Sequence, residues 1–249
     1  MKALRLHGIV SSEAPTPRRS AEHVRLTVGR LSALATSMSG PLEPDDEATA
    51  MVEIVKHHEL LSEYALLGDV LPVRFGTAFS SEVALTDLLV RDAINLDNRL
   101  SALAGSVEYT LDLSPKELGS GGVEDISPPP PNEGGRAFLS RKRAVRDDVR
   151  QRADRRVKLA ASLPERLAPI VLDQTALAPR GQGFSVSCAL RLSRDRIPDL
   201  MDALTHVGQD AAALGVRCTL RGPGPCYSFV DEMQPASDAP GLTAEGAHV

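Results

Sequence analysis

The chain has 249 residues and a formal net charge of −5, and it is 42% hydrophobic and 24% charged. This length exceeds what one ordinary core holds and predicts two domains of roughly 100 to 130 residues each. The composition is that of a soluble globular chain, and no apolar run approaches the roughly 20 residues of a membrane span. Residues 1–10 carry Lys2, Arg5 and His7 among their apolar positions, which is not the pattern of a secretory signal. Three scattered cysteines, Cys188, Cys218 and Cys226, fit a reducing, cytoplasmic setting better than a disulfide framework. With eight aromatic residues and no Trp, the core must be built from Leu, Val, Ala and Ile, and a stacking platform for single-stranded nucleic acid is disfavoured.

In chain order, residues 3–9 and 24–28 read as strands. Over residues 45–67, Met51, Ile54, Val55, His58, Leu61 and Ala65 recur at helical spacing. Asp45, Asp46 and Glu47 suit the positive end of the helix dipole, and Gly68 stops the helix. Residues 70–75 read as a strand despite Pro72, which belongs at an edge. A single helix is expected over residues 81–103, with Leu85, Leu88, Leu89, Leu96, Leu100 and Leu103 in its stripe. After Gly105, the alternation of Val107, Tyr109, Leu111 and Leu113 is that of a half-buried strand.

Residues 114–135 combine Gly119, Gly121 and Gly122, four consecutive prolines at 128–131, and Gly134 and Gly135, the composition of a linker with a stiff middle. A helix of about 40 Å is expected over residues 136–163. Its narrow stripe of Phe138, Val145, Val149, Ala153, Val157 and Ala160 suits a two-helix seam or an arm laid along another element. Phe184, Val186, Cys188, Leu190 and Leu192 alternate as a strand. Residues 195–214 form a helix with Ile197, Leu200, Met201, Leu204, Val207 and Ala211 inward, and Val216, Cys218 and Leu220 alternate again.

The expected fold is therefore α+β in two domains, each a small mixed or antiparallel sheet with helices on one face. The domains span residues 1–113 and 136–233, the second ferredoxin-like with a long helical arm. A linker occupies 114–135, and residues 234–249, rich in Ala, Pro, Gly and acids, read as a disordered tail.

Charge is strongly separated along the chain. Residues 40–69 hold eight acidic residues against Lys56, a net −7, whereas residues 136–166 hold eleven basic against four acidic residues, a net +7. Such separation steers partners or holds parts of a molecule together.

Catalytic and ligand-binding patterns are missing. His57, His58 and Glu59 are adjacent, but the residue four after His58 is Ser62, so no HExxH zinc site forms and His58 reads as a hydrogen-bonded, partly buried residue. Gly181 and Gly183 precede a strand pattern instead of opening a helix, which breaks the dinucleotide fingerprint. There is no P-loop and no GxSxG, and each cysteine reads as a small buried hydrophobe. No catalytic residue, cofactor or metal is assigned, and the chain reads as a non-enzyme.

Several ordered segments carry a resemblance. HHELLSEYALLGDV from His57 precedes LPVRFGT at 71–77, LSALAGSVEYTLDL follows at 100–113, GGRAFLSRKRAVRDD lies at 134–148, and GPGPCYSFV closes at 222–230. In this order they resemble the gas vesicle protein family that includes GvpF and GvpL, with its His-Glu pair, LPxRFGT strand, GxxEY strand, aromatic and paired basic segment, and GPWPPYSF motif. The resemblance spans residues 1–230. Gly224 stands at the family's Trp and Cys226 at its second middle proline.

The resemblance implies a non-enzymatic accessory or minor wall-associated role in building gas vesicles, in the cytoplasm. It implies binding to the small, hydrophobic major shell protein GvpA, with other accessory Gvp proteins as further partners and no lipid membrane or nucleic acid. The motif residues it marks are His58, Glu59, Arg74, Phe75, Gly76, Thr77, Glu108, Tyr109, Arg141, Arg143, Tyr227 and Phe229. Inside an apolar strand, Arg74 would require a carboxylate or carbonyl partner, with Glu59, Glu108 or Asp69 as candidates, and would then serve stability before binding. Gly76 is expected to supply a backbone conformation or close approach that a Cβ would block. Two other classes remain open from the residues alone. One is a small-molecule enzyme or sensor on a ferredoxin-like sheet; the other is a nucleic-acid binder built on the Arg-rich helix.

Overall fold

The computed structural model describes residues 2–17, 23–38, 46–116, 135–178 and 184–230. Two antiparallel sheets carry the chain. The first contains β1 (Leu4–Ser11), β2 (Val24–Val28), β3 (Leu31–Ser37) and β4 (Val70–Pro72) in the order β2-β3-β1-β4, and the short β5 (Ala78–Phe79) also pairs with β1. The second contains β6 (Ser106–Pro115), β7 (Asp173–Leu177), β8 (Val186–Ser193) and β9 (Val216–Gly224) in the order β7-β8-β6-β9. The helices are α1 (Glu47–Leu67), α2 (Glu82–Arg91), α3 (Ala93–Ala102), α4 (Gly135–Leu167) and α5 (Ile197–Ala213).

Helices lie on both faces of the first sheet, not on one as expected. Val10 and Leu34 share a core with Leu60, Leu61 and Tyr64 of α1, while their chain neighbours Ile9, Ala33 and Ala35 pack with Leu85 and Leu89 of α2 and Leu96 and Leu100 of α3. Successive strand residues point to opposite faces, and both sets in β1 and β3 are apolar, so each face needs a cover. The expected single helix over 81–103 is two: Ser81 accepts from the Ala84 N–H to cap α2, and the chain breaks at Asp92 before α3.

In the second sheet, Val107, Tyr109, Leu111 and Leu113 of β6 pack with Leu200, Val207 and Ala211 of α5 and with Leu159, Leu163 and Leu167 of α4. The succession β6-α4-β7-β8-α5-β9 follows a β-α-β-β-α-β pattern with all pairings antiparallel. The expected division at residue 113 falls inside β6, which pairs with β8 and β9 over its length. Hydrogen bonding thus assigns this strand to the second sheet, because its partners come from the far side of the expected linker. Ser114 and Pro115 belong to β6 and Gly135 opens α4. Residues 117–134, the GxG pair at 181 and 183, and the tail 234–249 lie outside the described residues.

The two halves interlock. After β9, Cys226, Phe229 and Val230 enter the core of the first sheet together with Ala189 of β8. Arg194, just before α5, donates to the carbonyls of Ala65 and Gly68 at the end of α1 and pairs with Asp69 at 3.0 Å. Its cation thus meets unsatisfied carbonyls at the negative end of that helix.

Candidate functional site

The sequence motifs meet where α1, the turn after β4 and the C-terminal turn come together. Asp46 caps α1 by accepting from the Thr49 N–H at 2.8 Å. The buried stripe of this helix is His57, Leu60, Leu61, Tyr64 and Ala65. Its face is rotated from the expected one: His57 is inside and His58 is exposed, as is Glu59. Met51, Ile54 and Val55, expected to be buried, are 56%, 41% and 46% exposed, Met51 and Val55 because they lie on the sides of α1 turned away from that stripe.

Beneath α1 the polar members of β1 form a buried cluster. His7 Nδ1 and His57 Nδ1 are 2.8 Å apart, so one ring donates and the other accepts, and His7 Nε2 lies 3.0 Å from Thr36 Oγ1. Arg5 donates to Glu53 at 2.9 Å, and its guanidinium carbon stands 4.9 Å from the centroid of the Phe75 ring. Burial lowers the pKa of His7 to about 4, with His57, Arg5 and His23 adding in the same direction, and burial likewise lowers His57 to about 4. Both imidazoles therefore favour the neutral form at neutral pH, and their shared hydrogen bond requires an unprotonated Nδ1 on at least one of them.

The strand expected over 70–75 ends at Pro72. Thr77 donates from both its N–H and its hydroxyl to the Arg74 carbonyl, and Gly76 has φ +91°, a left-handed turn position that glycine adopts without strain. Nothing lies within 4 Å of a Cβ built there, so conformation and not close approach explains the glycine. Arg74 sits in this turn and is exposed, correcting the expected desolvated strand position. Asp69 binds Arg194 and Glu108 binds Ser228, so two of the three proposed carboxylates are engaged elsewhere.

Glu108 joins the motifs from opposite ends of the chain. It is 9% exposed and accepts from the Ser228 N–H and hydroxyl, each at 2.8 Å. Burial raises its pKa, against the lowering by the two bonds from Ser228. Gly222, at φ +131°, passes so close that a Cβ there would stand 2.7 Å from the Glu108 carbonyl oxygen and 2.8 Å from the Tyr109 ring. Tyr109 is buried in the second core and Phe229 in the first, with the Arg191 guanidinium carbon 5.7 Å from the Phe229 ring centroid.

Ile54, His57, His58, Pro72, Arg74, Phe75, Tyr227 and Val230 line an open cleft of about 400 Å³. The Tyr227 ring lies near those of His57 and His58, tilted by about 30° to each, with centroids at 6.2 and 5.9 Å. Gly224, where the family motif has Trp, leaves the position facing His58 without a side chain; a Cβ there would stand 3.9 Å from the His58 ring. Of the sequence-marked residues, the structure brings His58, Arg74, Phe75 and Tyr227 to this cleft. Arg141 and Arg143 are exposed on α4, with the Arg141 guanidinium carbon 5.8 Å from the Phe138 ring. Arg5, His7, His57 and Ser228 were not singled out in the sequence. For the first two, their alternation with Leu4 and Leu6 was the available signal.

Burial pushes the thiol pKa of Cys188 to about 11 and of Cys226 to about 12, so neither is a ready thiolate. Among the described residues no group of three or more His, Cys, Asp or Glu is placed to hold a metal ion, and no helix is long and apolar enough to cross a membrane.

This is a two-sheet α+β protein whose sequence motifs meet at a buried polar joint and an open cleft with several apolar lining residues. The family model for the gas vesicle synthesis protein GvpL/GvpF matches residues 6–231, and the chain belongs to that family. The fold is similar to the crystal structure of the gas vesicle protein GvpF from Anabaena sp. PCC7120, at 13% identity and a TM-score of 0.67, covering 95% of this chain and 98% of that one. It is also similar to GvpF from Microcystis aeruginosa, at 14% identity and a TM-score of 0.64, covering 92% and 99%. A search of curated protein sequences gives no match. Membership supports an accessory role in gas vesicle formation.

Proposed function

We propose that this chain acts without catalysis in gas vesicle assembly, binding the hydrophobic major shell protein GvpA and keeping its apolar face from like copies until it joins the growing wall. It works in the cytoplasm at the gas vesicle, with other accessory Gvp proteins as further partners. The observation that carries this reading is the cleft. Ile54, Phe75, Tyr227 and Val230 give it apolar walls. An apolar surface set among polar residues is what a segment of a shell subunit would cover. The chain is organised as a first-sheet unit and a second-sheet unit, and the C-terminal turn brings Tyr227 and Val230 from the second across to the cleft on the first.

The test is co-expression with the shell protein. The expected result is a soluble fraction of shell protein that co-purifies with this chain. If shell protein is equally insoluble with and without the chain and the two never co-purify, the proposal fails.

A further inference from the structure

The uncovered part of α4 is the largest feature the cleft leaves unexplained. The helix is 33 residues long, on the order of 50 Å. Its last turns reach the core through Leu159, Leu163 and Leu167, but Leu139, Val149 and Val157 are 55%, 57% and 61% exposed. The expected seam therefore has no partner over most of its length among the described residues. Lys142, Arg146 and Ala153 share a face with Leu139, Val149 and Val157 at spacings of three and four, giving a mixed basic and apolar surface.

A matching surface of opposite sign exists on the same chain. On α1, Met51 and Val55 fall between Glu47 and Glu59 at intervals of four, so they share one helix face, and all four are exposed. The surrounding segments carry −7 for residues 40–69 and +7 for residues 136–166. Pairing two arms, or two α1 faces, would oppose like charges, whereas pairing an arm with an α1 face opposes unlike charges over an apolar strip.

We infer that the α4 arm of one copy docks along the N-terminal half of α1 of a second copy. Both faces are exposed within one chain, so the contact joins different molecules. The contact is heterologous: each molecule offers an arm and an α1 face to different neighbours, which builds a ring or an open row and not a closed two-fold pair. Two crossing helices make a small interface, so the association is concentration-dependent.

Sedimentation velocity on the full-length protein, without shell protein, tests this, and its outcome is separate from that of the cleft reading. The wild type is expected to self-associate at low salt, with a Kd weakened roughly tenfold at high salt. Arg146→Glu with Arg150→Glu, or Glu47→Lys with Glu59→Lys, should each give monomers with unchanged thermal melts. Mixing the two variants should restore association, because the wild-type arm of one then meets the wild-type α1 of the other. Wild-type protein that stays monomeric at every concentration overturns the inference, as does an α1 variant that still associates or a mixture that stays monomeric. A monomeric protein retained on duplex DNA in a salt-dependent way would assign the arm to nucleic acid instead.

Discussion

The joint between the two sheets and the α4 arm use charged residues in opposite ways. At the joint, Glu108 and Arg194 are each held by named partners, and their value lies in satisfying buried or half-buried polar groups. Along the arm, Arg143, Arg146 and Arg150 are exposed. Replacing one partner at the joint strands the other away from water, whereas the same change on the arm alters only a solvated surface. Stability should therefore be concentrated at the joint and partner choice on the surfaces.

The largest expected effect is at Gly222. Gly222→Ala puts a Cβ 2.7 Å from the Glu108 carbonyl oxygen at a φ that L side chains rarely adopt. It should cost on the order of 3 kcal/mol, a fall of roughly 6–12 °C in Tm. Next, Glu108→Ala leaves the Ser228 N–H and hydroxyl without their acceptor and should cost about 2 kcal/mol by chemical denaturation.

The histidine pair yields a pH prediction. Both native pKa values are lowered from 6.5 to about 4, so between pH 6.5 and 4 the unfolded chain takes up protons that the native state refuses. Stability from this pair is therefore full above pH 6.5 and declines as pH falls through that window. Glu108, raised by burial, acts in the opposite sense. Comparing the wild type with His7→Gln/His57→Gln isolates the pair: the variant should show a flatter dependence of Tm on pH.

Arg74 distinguishes the sequence reading from the structural one. A desolvated strand arginine would lower Tm by many degrees on truncation, whereas an exposed turn residue predicts a change within about 0.5 kcal/mol for Arg74→Ala. The smallest effect is expected on the arm, where Arg146→Glu should leave the melt within the same margin.

Much of this molecule was legible in its sequence. Alternation located β6, β8 and β9, Asp46 and Gly68 bracketed α1, and the ordered motifs identified the family. The failures have a common cause. Met51, Ile54 and Val55 repeat at helical spacing, but spacing alone does not state which face of α1 meets the sheet, and the covered face carries His57 in place of His58. In the same way, Val107, Tyr109, Leu111 and Leu113 reveal a strand without naming its partners, which lie beyond the linker. The cleft was half legible. Phe75, His58 and Tyr227 stood in motifs, while Arg5, His7 and Ser228 are joined to them only by contacts across long stretches of chain.

The most direct test of the account is co-purification of shell protein with Ile54→Asp, a substitution at a cleft residue that is 41% exposed. If the cleft holds the shell subunit, this variant should keep the wild-type melt and lose most of the shell protein recovered with it. Recovery equal to wild type, with the fold intact, would contradict the claim that this cleft is the binding surface.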